Sequence, residues 1–223
     1  METTTLQFQR TRSSSVAPKA AMTFWYVVCI AGAAWMTFRA GDSSGSPDRQ
    51  AILLACALVY VARATLTFFV FMKRKIPWWE ATWGGVSIGL VLFFFLRAGL
   101  RVPQPIGLVD ILGILLYIAG SYLGTASEYA RHIWKTHPEN QGHLYTERLF
   151  KYCRHINYFG DLLLFLGLGI LTRQAWAAVV PLVMAVNFIF IIIPAHDAYL
   201  AKRYGKEFDD YAHCTRRLIP FVY

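Results

Sequence analysis

The sequence predicts an all-α fold: a polytopic transmembrane helical bundle of about six membrane helices, including a C-terminal helical hairpin. Composition is the first reason. Of 223 residues, 56% are hydrophobic and only 16% charged, and the mean hydropathy is +0.40. An ordinary globular domain is about a quarter charged. Distribution is the second reason. The apolar residues gather in runs long enough to cross a bilayer, and the segments between them leave no room for a soluble catalytic domain. A disordered chain, a collagen-like repeat and a disulfide-stapled secreted scaffold are excluded on the same grounds.

A hydrocarbon core of about 30 Å takes roughly 20 apolar residues in a helix. Residues 1–19 are Ser/Thr-rich, carry Arg10, Arg12 and Lys19, and read as a solvated tail. Residues 20–38 are uncharged up to Arg39 and lack a small-residue cleavage site, so they read as a retained helix. Residues 51–72 are apolar except for Arg63. Residues 81–96 are uncharged between Glu80 and Arg97, and residues 106–127 hold one charge, Asp110. These are four full spans. Residues 162–172 are too short to span alone, so this helix is expected to begin earlier. With 174–195, which contains Pro181, it forms the hairpin. Arg63 and Asp110 are candidates to pair across the bundle, and Asp110 lies near a span end where water would reach it.

Orientation follows from the basic residues. With the N-terminus cytoplasmic, the inner segments 1–19, 73–75, 128–158 and 196–223 hold three, three, five and five Lys/Arg. The outer loops hold five: Arg39, Arg49, Arg97, Arg101 and Arg173. Both termini are therefore expected inside, and the +9 net charge is mostly a positive-inside effect. No nucleic-acid partner is needed to explain it. The four cysteines, Cys29, Cys56, Cys153 and Cys214, form no CxxC and read as free thiols. GxGxxG, Walker A and HExxH motifs are absent. A cofactor must then bind among the helices and their inner ends.

Two polar stripes mark that place. Glu128, Arg131, His132 and Lys135 share one helix face, and Arg154, Asn157, Tyr158 and Asp161 repeat the spacing on the way into an apolar run. Snorkelling accounts for Lys135 and Lys151, but not for an Asn and an acid entering a membrane helix. Joined by the Pro138–Gly142 turn, the stripes can line one pocket. Tyr199, Lys202, Arg203 and Lys206 share a face in the C-terminal segment, where anionic headgroups are an alternative partner. Tyr204, Phe208 and Tyr211 suit either a lid or an interfacial belt.

At RHINYFGD the chain resembles the superfamily of steroid 5-alpha-reductases, sterol reductases and their bacterial relatives. Isoprenylcysteine carboxyl methyltransferases and phospholipid methyltransferases share a related core. The resemblance spans residues 120–223, with PENQG before the motif and RYG, then RRLIPFVY, after it. Asn157, Tyr158, Phe159, Gly160 and Asp161 fit the reductase branch, with Ile156 in place of its usual proline. The methyltransferase branch carries paired Glu after the hairpin, where this chain has His196-Asp197. The resemblance implies a division into the 1–19 tail, N-terminal helices 20–119 on the substrate side, and a C-terminal domain 120–223 holding the cofactor. It implies that Glu128, Lys135, Asn157, Asp161 and Tyr199 contact a nicotinamide cofactor, with His155 of the same motif added to that set. Arg131, Lys135, Arg154 and Arg203 suit the phosphates of NADPH better than S-adenosylmethionine, which carries a sulfonium cation and no phosphate. Tyr158 is the local candidate for a catalytic acid. The expected function is NADPH-dependent reduction of a carbon–carbon double bond in a lipophilic, steroid-like or isoprenoid-like small molecule. The alternative is an S-adenosylmethionine-dependent membrane methyltransferase. Membrane lipids surround the protein in either case, in the endoplasmic reticulum or a bacterial inner membrane.

Overall fold

The computed structural model describes residues 15–39 and 45–223. Residues 1–14, with Arg10 and Arg12 of the expected tail, and residues 40–44 of the first expected outer loop lie outside the described residues. The helices are α1 (Val16–Arg39), α2 (Pro47–Leu66), α3 (Trp78–Gly99), α4 (Leu108–Trp134), α5 (Ile156–Leu171), α6 (Val179–Asn187), α7 (Ile193–Tyr204) and α8 (Lys206–Cys214). Among the described residues there is no strand, only an isolated bridge between Cys153 and Arg216. Five segments are long and apolar enough to cross a membrane: Val16–Thr37, Pro47–Phe71, Trp78–Gly99, Leu108–Trp134 and Ala175–Tyr204. The shorter apolar helix, α5, packs beside them. This is a polytopic helical membrane bundle.

Boundaries moved where local chemistry had more to say than hydropathy. The first helix begins at Val16, so Lys19 is not in a solvated tail: it is buried, and its Nζ donates to the Met72 carbonyl at 2.6 Å. The first arm of the hairpin begins at Ile156, six residues before its uniform apolar run. Ile156 occupies the first helical position, the place where proline fits because its N–H would be unpaired there anyway. The helix therefore starts in the same register with either residue. The second arm is one rod of 30 residues in which α6 passes into α7 through a π turn at Phe188–Ile192. Pro194 lies just downstream; it has no N–H to donate and its ring crowds the preceding turn, so the backbone widens there. A second π turn, Thr67–Phe71, extends α2.

The closest packing is between α4 and α5, where both helices present glycine. A Cβ on Gly167 would stand 2.5 Å from the Gly113 carbonyl oxygen, and one on Gly160 would stand 2.7 Å from the Gly124 nitrogen. Between apolar helices in lipid there is little hydrophobic gain, so backbone approach and dispersion hold them together. Around this seam Leu53, Leu92, Phe95, Leu96, Phe165 and Leu168 form the main buried cluster.

The bundle has two unlike ends. At one, Asp110 and Arg49 are fully buried and joined by an ion pair. Arg49 Nη1 also donates to the Leu171 carbonyl at 3.0 Å, and Arg173 Nε donates to Asp110 at 3.0 Å. The expected Arg63–Asp110 pairing and the expected wetting of Asp110 are thereby corrected. Asp110 sits in the first turn of α4 at one end, where it also accepts the Gly107 N–H at 2.9 Å, while Arg63 lies in the last turn of α2 near the other end. Arg49, expected in an outer loop, is instead the buried partner. The opposite end gathers the start of α1, the 67–75 turn, the 135–155 connection and the C-terminal segment. Tyr211 donates to the Phe150 carbonyl at 2.6 Å, and the Arg154 N–H donates to the Arg216 carbonyl at 2.8 Å.

Candidate functional site

Two adjoining cavities open at this second end. The outer one, about 460 Å³, is lined by Lys73, Glu128, Arg131, His132, Lys135 and Arg203, among others. The deeper one, about 330 Å³, is lined by Arg63, Thr67, Asn157, Tyr158, Asp161 and Tyr199, among others. Phe71, Lys73, Glu128 and Arg131 border both, so the two form one bent site. Each volume falls in the range of about 300–1,000 Å³ usual for small-molecule sites.

The last two turns of α4 supply the shared wall. Glu128 and Arg131, three residues apart, form an ion pair on one helix face. Asn157 Nδ2, from the first turn of α5, donates to the other Glu128 oxygen at 3.0 Å. The Arg131 guanidinium lies 5.5 Å from the centre of the Phe150 ring, which keeps it at the rim. Lys135 Nζ lies 3.2 Å from the Tyr204 hydroxyl, and Arg203 Nη1 donates to the Tyr199 hydroxyl at 2.8 Å. At the floor, Arg63 Nε donates to Thr125 Oγ1 at 2.8 Å, and Arg63 Nη2 lies 3.5 Å from an Asp161 oxygen. The Tyr158 ring stacks on Phe188 at 4.8 Å and on His155 at 5.3 Å, which fixes it as a wall of the deep cavity.

Glu128, Arg131, Lys135, Asn157, Tyr158, Asp161, Tyr199 and Arg203 are thus brought together at one site. Arg154 and His155 are turned elsewhere. α5 starts at Ile156, so Arg154 does not continue its polar stripe as the spacing suggested. Its Nη1 donates to the carbonyls of Ala212 at 2.8 Å and Thr215 at 3.0 Å. His155 Nε2 lies 2.9 Å from Asp197, and the His155 N–H donates to the Arg217 carbonyl at 3.0 Å. Neither residue lines these two cavities; Arg154 reaches only a side pocket of about 70 Å³. Both bind the C-terminal segment to the start of α5, a role that motif spacing does not distinguish from ligand contact. Near this strap, burial pushes the Cys153 thiol up to about 11 and raises the Tyr145 and Tyr211 hydroxyls above their usual range. Lys73, Arg74 and Thr67 were missed as site residues. Lys73 and Arg74 carried only the signal of a basic triplet at the end of a span, which positive-inside topology explains equally well, and Thr67 carried none.

The chemistry of the rim is that of an anion site. Lys73, Arg131, Lys135 and Arg203 face one paired acid, Glu128, in the outer cavity. The deep cavity has a different balance, with Asp161 and Glu128 near Arg63.

The family profile of DUF1295, described as a protein of unknown function, matches residues 85–215. Probable protein-S-isoprenylcysteine O-methyltransferases of Oryza sativa subsp. indica and subsp. japonica are each 24% identical over 119 residues, 51% of this chain and 62% of theirs. Protein-S-isoprenylcysteine O-methyltransferase B of Arabidopsis thaliana is 27% identical over 115 residues, 49% of this chain and 58% of its own. The chain therefore spans about six tenths of the length of these curated relatives. Their names favour the methyltransferase alternative over the reductase reading, and none of the three carries a reductase name.

Proposed function

The chain belongs to the DUF1295 family, and we propose that it is an integral membrane enzyme that reduces a carbon–carbon double bond in a lipophilic substrate with NADPH bound at the polar end of the bundle. The observation that carries this reading is the charge of the outer cavity: Lys73, Arg131, Lys135 and Arg203 around one acid that Arg131 already pairs. That donor set fits a polyanion, and guanidinium and ammonium groups bind phosphates by charge-assisted hydrogen bonds. These four residues would hold the phosphates. Asn157 and Glu128, hydrogen-bonded to each other, would orient the polar groups between the two cavities. When bound, NADPH supplies a hydride. Tyr158 lines the deep cavity and is the acid this reading assigns. The NYFGD motif at 157–161 supports the same branch.

Methyl transfer from S-adenosylmethionine is the second reading, favoured by the names of the rice and Arabidopsis relatives. Asp161 and Glu128 give the deep cavity carboxylates suited to a cationic sulfonium. Against it, His196-Asp197 stands where that branch carries paired Glu. The Asp197 carboxylate is engaged by His155 at 2.9 Å and by Arg154 at 3.3 Å.

Calorimetric titration of the purified protein separates the two. Saturable NADPH binding with weaker NADH binding is expected. Lys135→Met should cost NADPH about 10- to 100-fold in affinity, the worth of one charge-assisted contact. Saturable S-adenosylmethionine binding with no response to either nucleotide would replace the reductase reading by the second.

A further inference from the structure

The segment after α8 ends in an apolar turn that faces outward. Residues 218–223 fold back on themselves. The Leu218 and Ile219 N–H groups both donate to the Tyr223 main-chain oxygen, at 2.7 and 2.8 Å, and those of Val222 and Tyr223 donate to the Ile219 carbonyl at 3.1 Å. Pro220 has no N–H to satisfy. The side chains displayed on this closed loop are apolar or aromatic: Phe221 is 76% and Val222 72% exposed, and Ile219 and Tyr223 are exposed beside them. Phe221 holds φ at 66°, a left-handed backbone that a bulky residue rarely adopts. Its ring lies 5.8 Å from that of Tyr152, itself exposed, and the two widen the patch.

Leu218 sets the depth of the turn. It is buried with Phe188 and Ile193 of the α6–α7 rod, and Phe159 and Leu162 of α5 pack on the same cluster. Counted from Trp176 at the opposite end of that membrane-length rod, Phe188 and Ile193 lie roughly 18–26 Å along it at helical rise. The hydrocarbon layer is about 30 Å thick, so Leu218 packs on the part of the rod that nears the boundary at the polar end. Cations flank the patch: Arg216 and Arg217 precede Leu218, Lys151 precedes Tyr152, and all three are exposed. A segment entering a leaflet must satisfy its own backbone, show apolar side chains to the hydrocarbon and keep its charges at the headgroups. The 218–223 turn meets all three demands.

We infer that the 218–223 turn is a membrane-seated anchor: its apolar side chains enter the leaflet at the polar end of the bundle, and Lys151, Arg216 and Arg217 take the phosphates of anionic glycerolipids. The occupant is the bilayer rather than a soluble protein, because Leu218 fixes the patch at the level of the hydrocarbon boundary. The inference is independent of which cosubstrate the site takes. It gives the C-terminal strap a second fastening. The residues just before the turn hold the Arg154 and His155 N–H groups, and Arg217 Nε lies 3.8 Å from Asp197. His155 in turn stacks on Tyr158, so a strap seated in the leaflet steadies a wall of the deep cavity from behind.

The test uses the full chain, one copy per nanodisc, in phosphatidylcholine doped with phosphatidylglycerol, with Cys214→Ser to remove the exposed thiol. Val222→Cys carries an environment-sensitive NBD label. Glu139→Cys, at a side chain 71% exposed at the same end, carries it as the aqueous control. Doxyl groups close to the lipid headgroup should quench the label at 222 and spare the one at 139, and aqueous iodide should do the reverse. Doxyl-phosphatidylglycerol should quench at 222 about fivefold better than doxyl-phosphatidylcholine, the worth of one basic residue near an anionic surface. Lys151→Gln/Arg216→Gln should erase most of that preference and leave the label in the leaflet. Phe221→Asp should expel the label and speed amide exchange at Arg154 and His155, whereas Phe221→Leu should do neither. Iodide access at 222 equal to that at 139 would place the turn in water, as for a patch awaiting a soluble protein or a second copy, and would overturn the inference. A label that stays in the leaflet after Phe221→Asp would overturn the anchor. Equal quenching by the two doxyl lipids would overturn the headgroup contact.

Discussion

At the scale of single residues, the hardest charge to place is Asp110. It is fully buried, yet it sits among the Gly107 N–H at 2.9 Å, Arg49 Nη2 at 3.1 Å and Arg173 Nε at 3.0 Å. A carboxylate in such a place is tolerable because each lone pair meets a donor and two guanidiniums share its charge. The two arginines are not equal. Arg49 has no exposed side-chain surface, whereas the Arg173 side chain is 32% exposed. Removing the enclosed partner leaves an unmatched buried charge. Arg49→Met should therefore cost about 3–5 kcal/mol of stability, and Arg173→Met no more than about 1 kcal/mol. Thermal unfolding in detergent measures both, and equal losses would contradict the difference in burial. Arg49→Met/Asp110→Leu should recover most of the loss, since an apolar pair asks for no partner. This triad was not legible in the sequence. Arg49 and Arg173 looked like two more loop charges, and only folding brings positions 49, 110 and 173 to one point.

At the scale of elements, the α4–α5 seam explains how a short helix of sixteen residues is held in the bundle. Gly113, Gly120 and Gly124 face Gly160 and Gly167, so each helix lies in a trough of the other. There is no room for a methyl group: at Gly160 and Gly167 it would meet backbone rather than the yielding end of a side chain. Gly160→Ala and Gly167→Ala should each cost about 1–3 kcal/mol, the usual penalty for overpacking. Gly84 is the comparison, since a Cβ there meets only the Met22 methyl at 3.5 Å, and its Ala variant should be near neutral. The same measurement reads all three, and a sensitive Gly84 with a tolerant Gly167 would place the tight seam between α1 and α3 instead. Gly160→Ala should also disturb ligand binding, because that glycine packs on the Gly124 backbone beside Asp161 and Arg63. Hydropathy revealed the helices themselves but not this seam. It marks which residues prefer lipid, and glycine is nearly silent on that scale; the spacing of small residues becomes meaningful only against a second helix.

At the scale of the whole molecule, hydropathy and helical spacing went furthest. Six apolar segments correspond to the six apolar helical segments described, because an apolar stretch of sufficient length has one stable form in lipid, a helix with its own hydrogen bonds satisfied. Eight of the ten expected site residues line one bent cavity, because residues three and four apart must share a face. Arg154 failed that rule where the helix had not yet begun, and His155 had entered the set with the motif rather than by spacing. What the sequence could not disclose was pairing at a distance: Arg63 with Asp161, Lys19 with Met72, and the strap that joins Arg154 and His155 to the C-terminal segment. The expected orientation of the bundle in the membrane rests on charge alone, sixteen basic residues against five by the sequence count, and the protein's own thiols supply the test. Cys214, in α8, is exposed; Cys56 and Cys153 are buried, and Cys29 is half-buried in the first span. Maleimides react with thiolates, and with burial holding the Cys153 thiol up to about 11, it remains protonated at pH 7. A membrane-impermeant maleimide should therefore modify one site, Cys214. If positive charge holds the polar end in the cytoplasm, that site should be silent in intact cells and react in inside-out vesicles. Cys214→Ser should abolish the signal. Labelling of Cys214 in intact cells would turn the bundle over, place both cavities on the outer face, and remove access to any cytoplasmic cosubstrate, NADPH and S-adenosylmethionine alike.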